Sequence, residues 1–161
     1  MRILPFSFPR VNRALMVTAL LIPNSGVFAA DWPNLRGPDQ NGISIEADLR
    51  SEGTASILWK ASVGLGYSTP VVEDGKVIVT GHDGKEQDTV YCFDETTGKE
   101  KWKFAYPQPL GDLYFQGGTT GSPTLHGNRV YLLARDGDVF SLDSDTGKLE
   151  WQKSLKTDFA Y

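Results

Sequence analysis

CFDETTGKEKW, from Cys92 to Trp102, returns as SLDSDTGKLEW from Ser141 to Trp151, and the shared positions spell Asp-x-x-Thr-Gly-Lys-x-x-Trp twice. The repeat extends upstream. Ser122-Pro123 answers Thr69-Pro70, Val130 answers Val77 and Asp136-Gly137 answers Asp83-Gly84, all at an offset of 53 residues, which falls to 49 from Val90 and Val139 onward. The difference is one insertion in the first copy, Lys85 to Asp88, following an Asp-Gly turn and read here as extra loop. Short apolar runs and Gly turns at a period of about 40–50 residues indicate a propeller or another all-β array.

Within each copy the pattern predicts four strands. The first copy gives Thr69–Val72, Lys76–Gly81 after the Asp74-Gly75 turn, Thr89–Asp94 and Lys99–Phe104. An Asp-Gly pair between apolar runs is a strong two-residue hairpin signal. The second copy gives Ser122–Leu125, Arg129–Ala134 after Gly127-Asn128, Asp138–Asp143 and Lys148–Ser154. Before them, 57–63 (ILWKASV) reads as the fourth strand of a unit whose first three strands are missing, since Trp59-Lys60 matches Trp102-Lys103. The fold class is therefore all-β: a partial propeller of two four-stranded antiparallel blades with an orphan N-terminal strand. Propellers close with four to eight blades, so two blades read as part of a longer protein. In the third strands Tyr91 and Phe93 share one face and Val90 and Cys92 the other, as do Phe140 with Leu142 and Val139 with Ser141. Apolar residues on both faces suit a blade held between two neighbours.

The repeated loop has a chemical logic. Asp94 and Asp143 end a strand where a carboxylate can accept hydrogen bonds from amides two or three residues on, including those of Thr97 and Thr146. Gly98 and Gly147 stand where the chain needs positive φ. Trp102 and Trp151 then lie in an outer strand, each large enough to cover the gap to an adjacent blade.

Residues 1–29 read as a secretory leader. Arg2, Arg10 and Arg13 precede the apolar run Ala14–Ile22, and Val27-Phe28-Ala29 offers small residues for cleavage. The apolar run is shorter than the roughly 20 residues a membrane-spanning helix needs. The expected organisation is thus a signal peptide at 1–29, an extended arm at 30–56 and propeller repeats at 57–161, exported to the periplasm or beyond without a transmembrane anchor. Cys92, the single cysteine, excludes an internal disulfide and sits in a strand pattern as a small buried hydrophobe. Removing the leader's three arginines from the 16 basic residues leaves 13 against 20 acidic ones, a formal charge of −7 that argues against nucleic acid as a partner.

The docking pattern Asp94, Thr97, Gly98, Trp102 and Asp143, Thr146, Gly147, Trp151 resembles the tryptophan-docking motif of quinoprotein dehydrogenase propellers and of the wider PQQ-like repeat family that includes BamB-like assembly factors. Asp31-Trp32-Pro33-x-x-Arg36-Gly37-Pro38 with Gly42 also resembles the start of secreted members. The resemblance implies that each tryptophan stacks on the glycine turn of a neighbouring blade: Trp151 on Gly98, or Trp102 on Gly147, according to blade order. For the dehydrogenases it further implies a vicinal cysteine pair, a calcium site and a catalytic aspartate, and this chain has no Cys-Cys and no matching metal cluster. No cofactor is evident, and PQQ enters only if blades outside this chain supply its site.

Other motifs have simpler readings. His82 and His126 stand at strand ends without zinc-ligand company, and Asp136-Gly137-Asp138 lacks the remaining ligands of a calcium loop. Gly64-Leu65-Gly66 and Gly117–Gly121 lead into strands, not into the helix N-terminus a phosphate loop requires. Leu113 to Gly117 (LYFQG) resembles the core of a viral protease site by chance. Tyr67, Tyr114 and Arg135 are the candidates for a funnel-facing ligand surface. The expected function is a non-catalytic binding or protein-interaction scaffold for a protein or polymer, with a PQQ-dependent dehydrogenase as the alternative.

Overall fold

The computed structural model describes residues 30–46, 55–110 and 117–159. The leader, Tyr114 and the rest of the arm lie outside the described residues. Two antiparallel sheets carry the chain. The first is β1 (Val71–Glu73), β2 (Lys76–His82), β3 (Gln87–Asp94) and β4 (Glu100–Pro107), in that order; the second is β5 (Thr124–His126), β6 (Arg129–Leu133), β7 (Asp138–Asp143) and β8 (Leu149–Ser154). Each is a propeller blade. A single helical turn, α1 (Leu155–Asp158), follows the second blade, too short to leave a periodic signal in the sequence.

The hairpin chemistry is visible at each turn. Asp74 (φ 50°) and Gly75 (φ 69°) are both left-handed, which closes Glu73 against Lys76 through two residues. The β3–β4 and β7–β8 loops end on Gly98 and Gly147, each at φ 69°, and a register shift follows in both ladders, between Cys92 and Phe93 and between Ser141 and Leu142. This is the type I turn with a glycine bulge that such loops favour.

The insertion at Lys85–Asp88 is only half loop: Lys85 and Glu86 lie in the turn, while Gln87 and Asp88 belong to β3. It lengthens the β2–β3 hairpin symmetrically: β2 has 7 residues where β6 has 5, and β3 has 8 where β7 has 6. Extra residues beside an Asp-Gly turn can extend either loop or ladder, and here ladder hydrogen bonds out to His82↔Asp88 satisfy the added backbone. Residues 57–63 are held in no sheet, because a strand needs a neighbour and none of the described residues pairs with them.

The core lies between the blades. Register places Val71, Ile78, Cys92 and Trp102 on one face of the first sheet, all buried. Against it stand Leu125, Val130, Leu132, Phe140 and Leu142 of the second, also buried. Each such side chain contributes roughly 1.5–3 kcal/mol when removed from water. Phe140 meets Tyr106 at 4.7 Å and Phe104 edge-on at 5.5 Å between ring centroids. The arm ties the innermost strands together: Trp32 exchanges backbone hydrogen bonds with Val72 at 2.7 and 3.0 Å, and the Pro33 carbonyl accepts the Leu125 N–H at 2.8 Å.

Gly147→Ala puts a side chain at positive φ and drives its Cβ into the Trp102 ring, whereas Gly127, at φ 57°, faces open space. Chemical denaturation is expected to show a loss of about 1–3 kcal/mol for Gly147→Ala and about 1 for Gly127→Ala. Equal losses would refute the stacking requirement.

Candidate functional site

The first element of the site is a pair of indole joints. Trp102 lies face-on over Gly147 of the next blade and donates its Nε1–H to the Ser144 carbonyl at 2.9 Å. Of the two pairings the motif allowed, blade order selects this one. Gly98 is covered by Trp59, whose ring an added Cβ at Gly98 would meet at 2.5 Å, and whose Nε1–H donates to the Glu95 carbonyl at 2.7 Å. Trp59 also packs on Phe93 at 6.0 Å, and Phe93 stacks on Tyr91. The segment without a sheet partner thus places its tryptophan as a fourth strand would.

Each turn is wound tightly by its own residues. Asp94 Oδ1 accepts the Thr97 N–H at 2.9 Å and the Thr97 hydroxyl at 2.7 Å, and Asp143 Oδ1 accepts the same pair from Thr146 at the same distances. The threonine hydroxyl, then the amide, hold both carboxyls below the usual aspartate range. A cross-blade ion pair joins Lys76 to Asp145 of the second turn at 2.7 Å. Sequence reasoning missed this pair and the two indole acceptors. Lys76 and Asp145 are 69 residues apart and individually ordinary, and a backbone carbonyl has no side-chain signature.

The second element is an unmatched face. Tyr131, Ser141 and Trp151 occupy on the second blade the register of Ile78, Cys92 and Trp102 on the first. Trp102 is 8% exposed, but Trp151 is 40% exposed and touches Tyr131 at 6.2 Å, with no glycine turn over it among the described residues. Leu133 lies on the same face and is also exposed.

The third element is the blade end where connectors meet. Leu65 and His82 exchange backbone hydrogen bonds at 2.9 and 2.8 Å, and the Tyr67 N–H donates to the Thr119 carbonyl at 2.7 Å. Gly64 and Gly81 are demanded by close backbone approach, to His82 and Val63 respectively. Tyr67 is 59% exposed there. Arg135 donates to the carbonyls of Leu110 (2.9 Å), Gly118 (3.3 Å) and Pro109, so its guanidinium clamps the connector.

Behind this end the extended hairpin buries a polar cluster. His82 Nδ1 accepts the Gly84 N–H at 2.8 Å, which leaves Nε2 to donate to the Gln108 carbonyl at 2.8 Å. Tyr106 donates its hydroxyl to Asp88 Oδ2 at 3.2 Å, while Asp88 Oδ1 has no hydrogen-bond partner and stands 4.0 Å from His82 Nε2. Burial pushes the Asp88 carboxyl up and, with Asp88 beside it, raises the Tyr106 phenol. Burial likewise raises the Cys92 thiol to about 11, which makes it inert at neutral pH.

A family model described as outer membrane protein assembly factor BamB matches residues 48–159. The chain belongs to this PQQ-like repeat family. Curated relatives include the quinoprotein alcohol dehydrogenase PedH of Pseudomonas putida, 30% identical over 91 residues that make up 53% of this chain and 14% of that protein. A quinoprotein ethanol dehydrogenase of the same species is 28% identical over 93 residues, 55% of this chain and 14% of that protein. The quinohemoprotein alcohol dehydrogenase of Comamonas testosteroni superposes with a TM-score of 0.56 at 23% identity, covering 81% of this chain and 20% of that one. The chain therefore spans about a seventh of the length of the curated relatives. Among the described residues no three His, Cys, Asp or Glu side chains stand close enough together to hold a metal ion. Among the described residues, the buried polar atoms without hydrogen-bond partners, on Asp88, Gln108, Thr119 and Ser141, are divided between the two blades and the connector. No described helix is long and apolar enough to cross a membrane.

Two outcomes test the site. Trp102→Ala is expected to cost about 3–5 kcal/mol in urea unfolding and Trp151→Ala under about 1 in the same chain; similar costs would contradict the open face. Asp88→Asn is expected to raise stability at pH 7. Because the folded Asp88 pKa lies above the unfolded value near 3.9, its carboxyl is least costly below that value, and stability is lost as pH rises through the folded pKa. The gain should therefore vanish below about pH 4 in melting curves.

Proposed function

We propose that the chain is part of an exported β-propeller that binds or scaffolds another protein or polymer and carries no reaction on these two blades. One observation supports this reading above the rest: the side chains capable of chemistry are spent on the fold. His82, Asp88 and Tyr106 are buried and occupied with neighbours on the extended hairpin. Arg135 is committed to connector carbonyls. The repeated motif itself is docking chemistry, in which an indole seeks a glycine turn and a carbonyl. Tyr67, exposed at the connector end, is the surface such a scaffold would present, and Tyr114 is proposed to join it there.

The second reading is a portion of a PQQ-dependent dehydrogenase, favoured by the names of the curated relatives. In that case further blades supply the quinone and metal ligands, and the two described here brace the funnel wall. The leader at 1–29 directs either protein across the inner membrane, and periplasmic placement follows for both.

The intact protein, mixed with PQQ, calcium and an artificial electron acceptor, distinguishes the two. The scaffold reading expects no dye reduction across a panel of alcohols and sugars and no change in the quinone spectrum. Substrate-dependent dye reduction would overturn it in favour of the dehydrogenase.

A further inference from the structure

The backbone nitrogen of Ala30 donates to Glu46 Oε1 at 2.5 Å. Both residues are exposed, so burial does not force the contact. Ala30 is also the residue that follows Val27-Phe28-Ala29, the stretch read as the leader's cleavage site. We propose that cleavage of the Ala29–Ala30 bond creates a group the unprocessed chain lacks, the α-ammonium of Ala30, and that Glu46 is its built ion-pair partner. The inference rests on the export reading, whose processing step it places at a particular bond.

The chemistry balances with water alone. Hydrolysis adds hydroxyl to the Ala29 carbonyl carbon and hydrogen to the Ala30 nitrogen. Ala29 leaves with the leader as a carboxylate, and the Ala30 amine takes up a proton. A neutral amide with one N–H becomes a cation with three, already placed against a carboxylate oxygen.

The surroundings favour a cation. Ala30 lines a surface cavity of about 270 Å³ whose wall includes the carboxylates of Asp31 and Asp39 and no basic side chain. Asp31 Oδ1 meanwhile accepts the Asp74 N–H at 3.3 Å, and Glu73 next to it is raised by burial, then by Asp74 and Asp31, with Lys76 and His126 opposing. Arg36, the guanidinium of the same arm, donates to the Asn41 carbonyl at 3.2 Å.

The ion pair would matter because of what the arm does. Ala30 and Glu46 are 16 residues apart, so their contact closes residues 30–46 into a loop. That loop holds Trp32 on Val72 and the Pro33 carbonyl on Leu125, the backbone ties between the inner strands of the two blades. Processing would thus turn the staple's hydrogen bond from a neutral amide to a carboxylate into an ion pair.

The test uses protein exported from the intact gene. N-terminal sequencing should give Ala30 first, and a different first residue would overturn the proposal. On the processed protein, the α-amino pKa is read from the pH dependence of its acetylation rate. It is expected about half a unit above the usual 7.7–8.0, and back within that range in Glu46→Gln. Ala30 at the N-terminus with a pKa that Glu46→Gln leaves unchanged would sink the ion pair while leaving export intact. Glu46→Asp, which keeps the charge on a shorter arm, should retain part of the shift, and a shift that survives undiminished in Glu46→Gln but not in Glu46→Asp would count against the pairing.

Discussion

Everything in this structure depends on an indole lying flat on a glycine. A ring can rest on a peptide plane only if no Cβ stands between them. The turn can hold that plane out only if its residue accepts positive φ, and glycine alone satisfies both conditions cheaply. Gly98 and Gly147 meet them at φ 69° beneath Trp59 and Trp102. The indole N–H then finds the carbonyl of the residue after the turn's aspartate, so Trp102 is buried and Trp59 half-buried without an orphaned donor. The Asp-to-Thr hydrogen bonds keep the turn from relaxing away from the ring. Loss of any one component weakens the others, which is why the motif recurs as a block and not as scattered matches.

The blade interface is built on that joint. Once Trp102 is docked, Cys92, Ile78 and Val71 follow it across the sheet by register and face Leu125, Val130, Leu132, Phe140 and Leu142. The extended hairpin adds a second, polar clamp at the far end of the same interface, where Tyr106 reaches both Asp88 on its own blade and Phe140 on the next. The buried carboxylate there is an expense that the aromatic packing offsets.

The fold was legible because turn chemistry is local. Asp, Thr, Gly and Trp at fixed spacing act within a few residues of one another, and a period of two identifies the faces of the strands between them. What could not be read is what depends on two strands meeting in space. Whether Trp102 or Trp151 finds a turn is decided by blade order, which spacing does not encode. The Lys85–Asp88 insertion resembled loop because polar residues beside a turn are as common in loops as in exposed ladders, yet Gln87 and Asp88 extended the hairpin and created the His82–Asp88 cluster. Arg135 was a candidate for a funnel-facing ligand surface, and it is turned onto the connector by three carbonyls that no residue type announces.

The joints also have a direction. Each blade offers a turn backward and a tryptophan forward, so a row of such blades always carries one indole more than its own turns can cover when an indole also precedes the first blade. Here Trp59, Trp102 and Trp151 face two turns, and both turns are taken. A second copy of this chain could cover Trp151 only by displacing a Trp59 from its turn, exchanging one joint for another with no net gain in indole burial. A further blade with its own Asp-x-x-Thr-Gly turn would supply the whole joint, including the carbonyl for the Trp151 N–H. The joint is thus an additive unit: each further turn of this kind, wherever in the protein it lies, covers one indole and supplies one carbonyl.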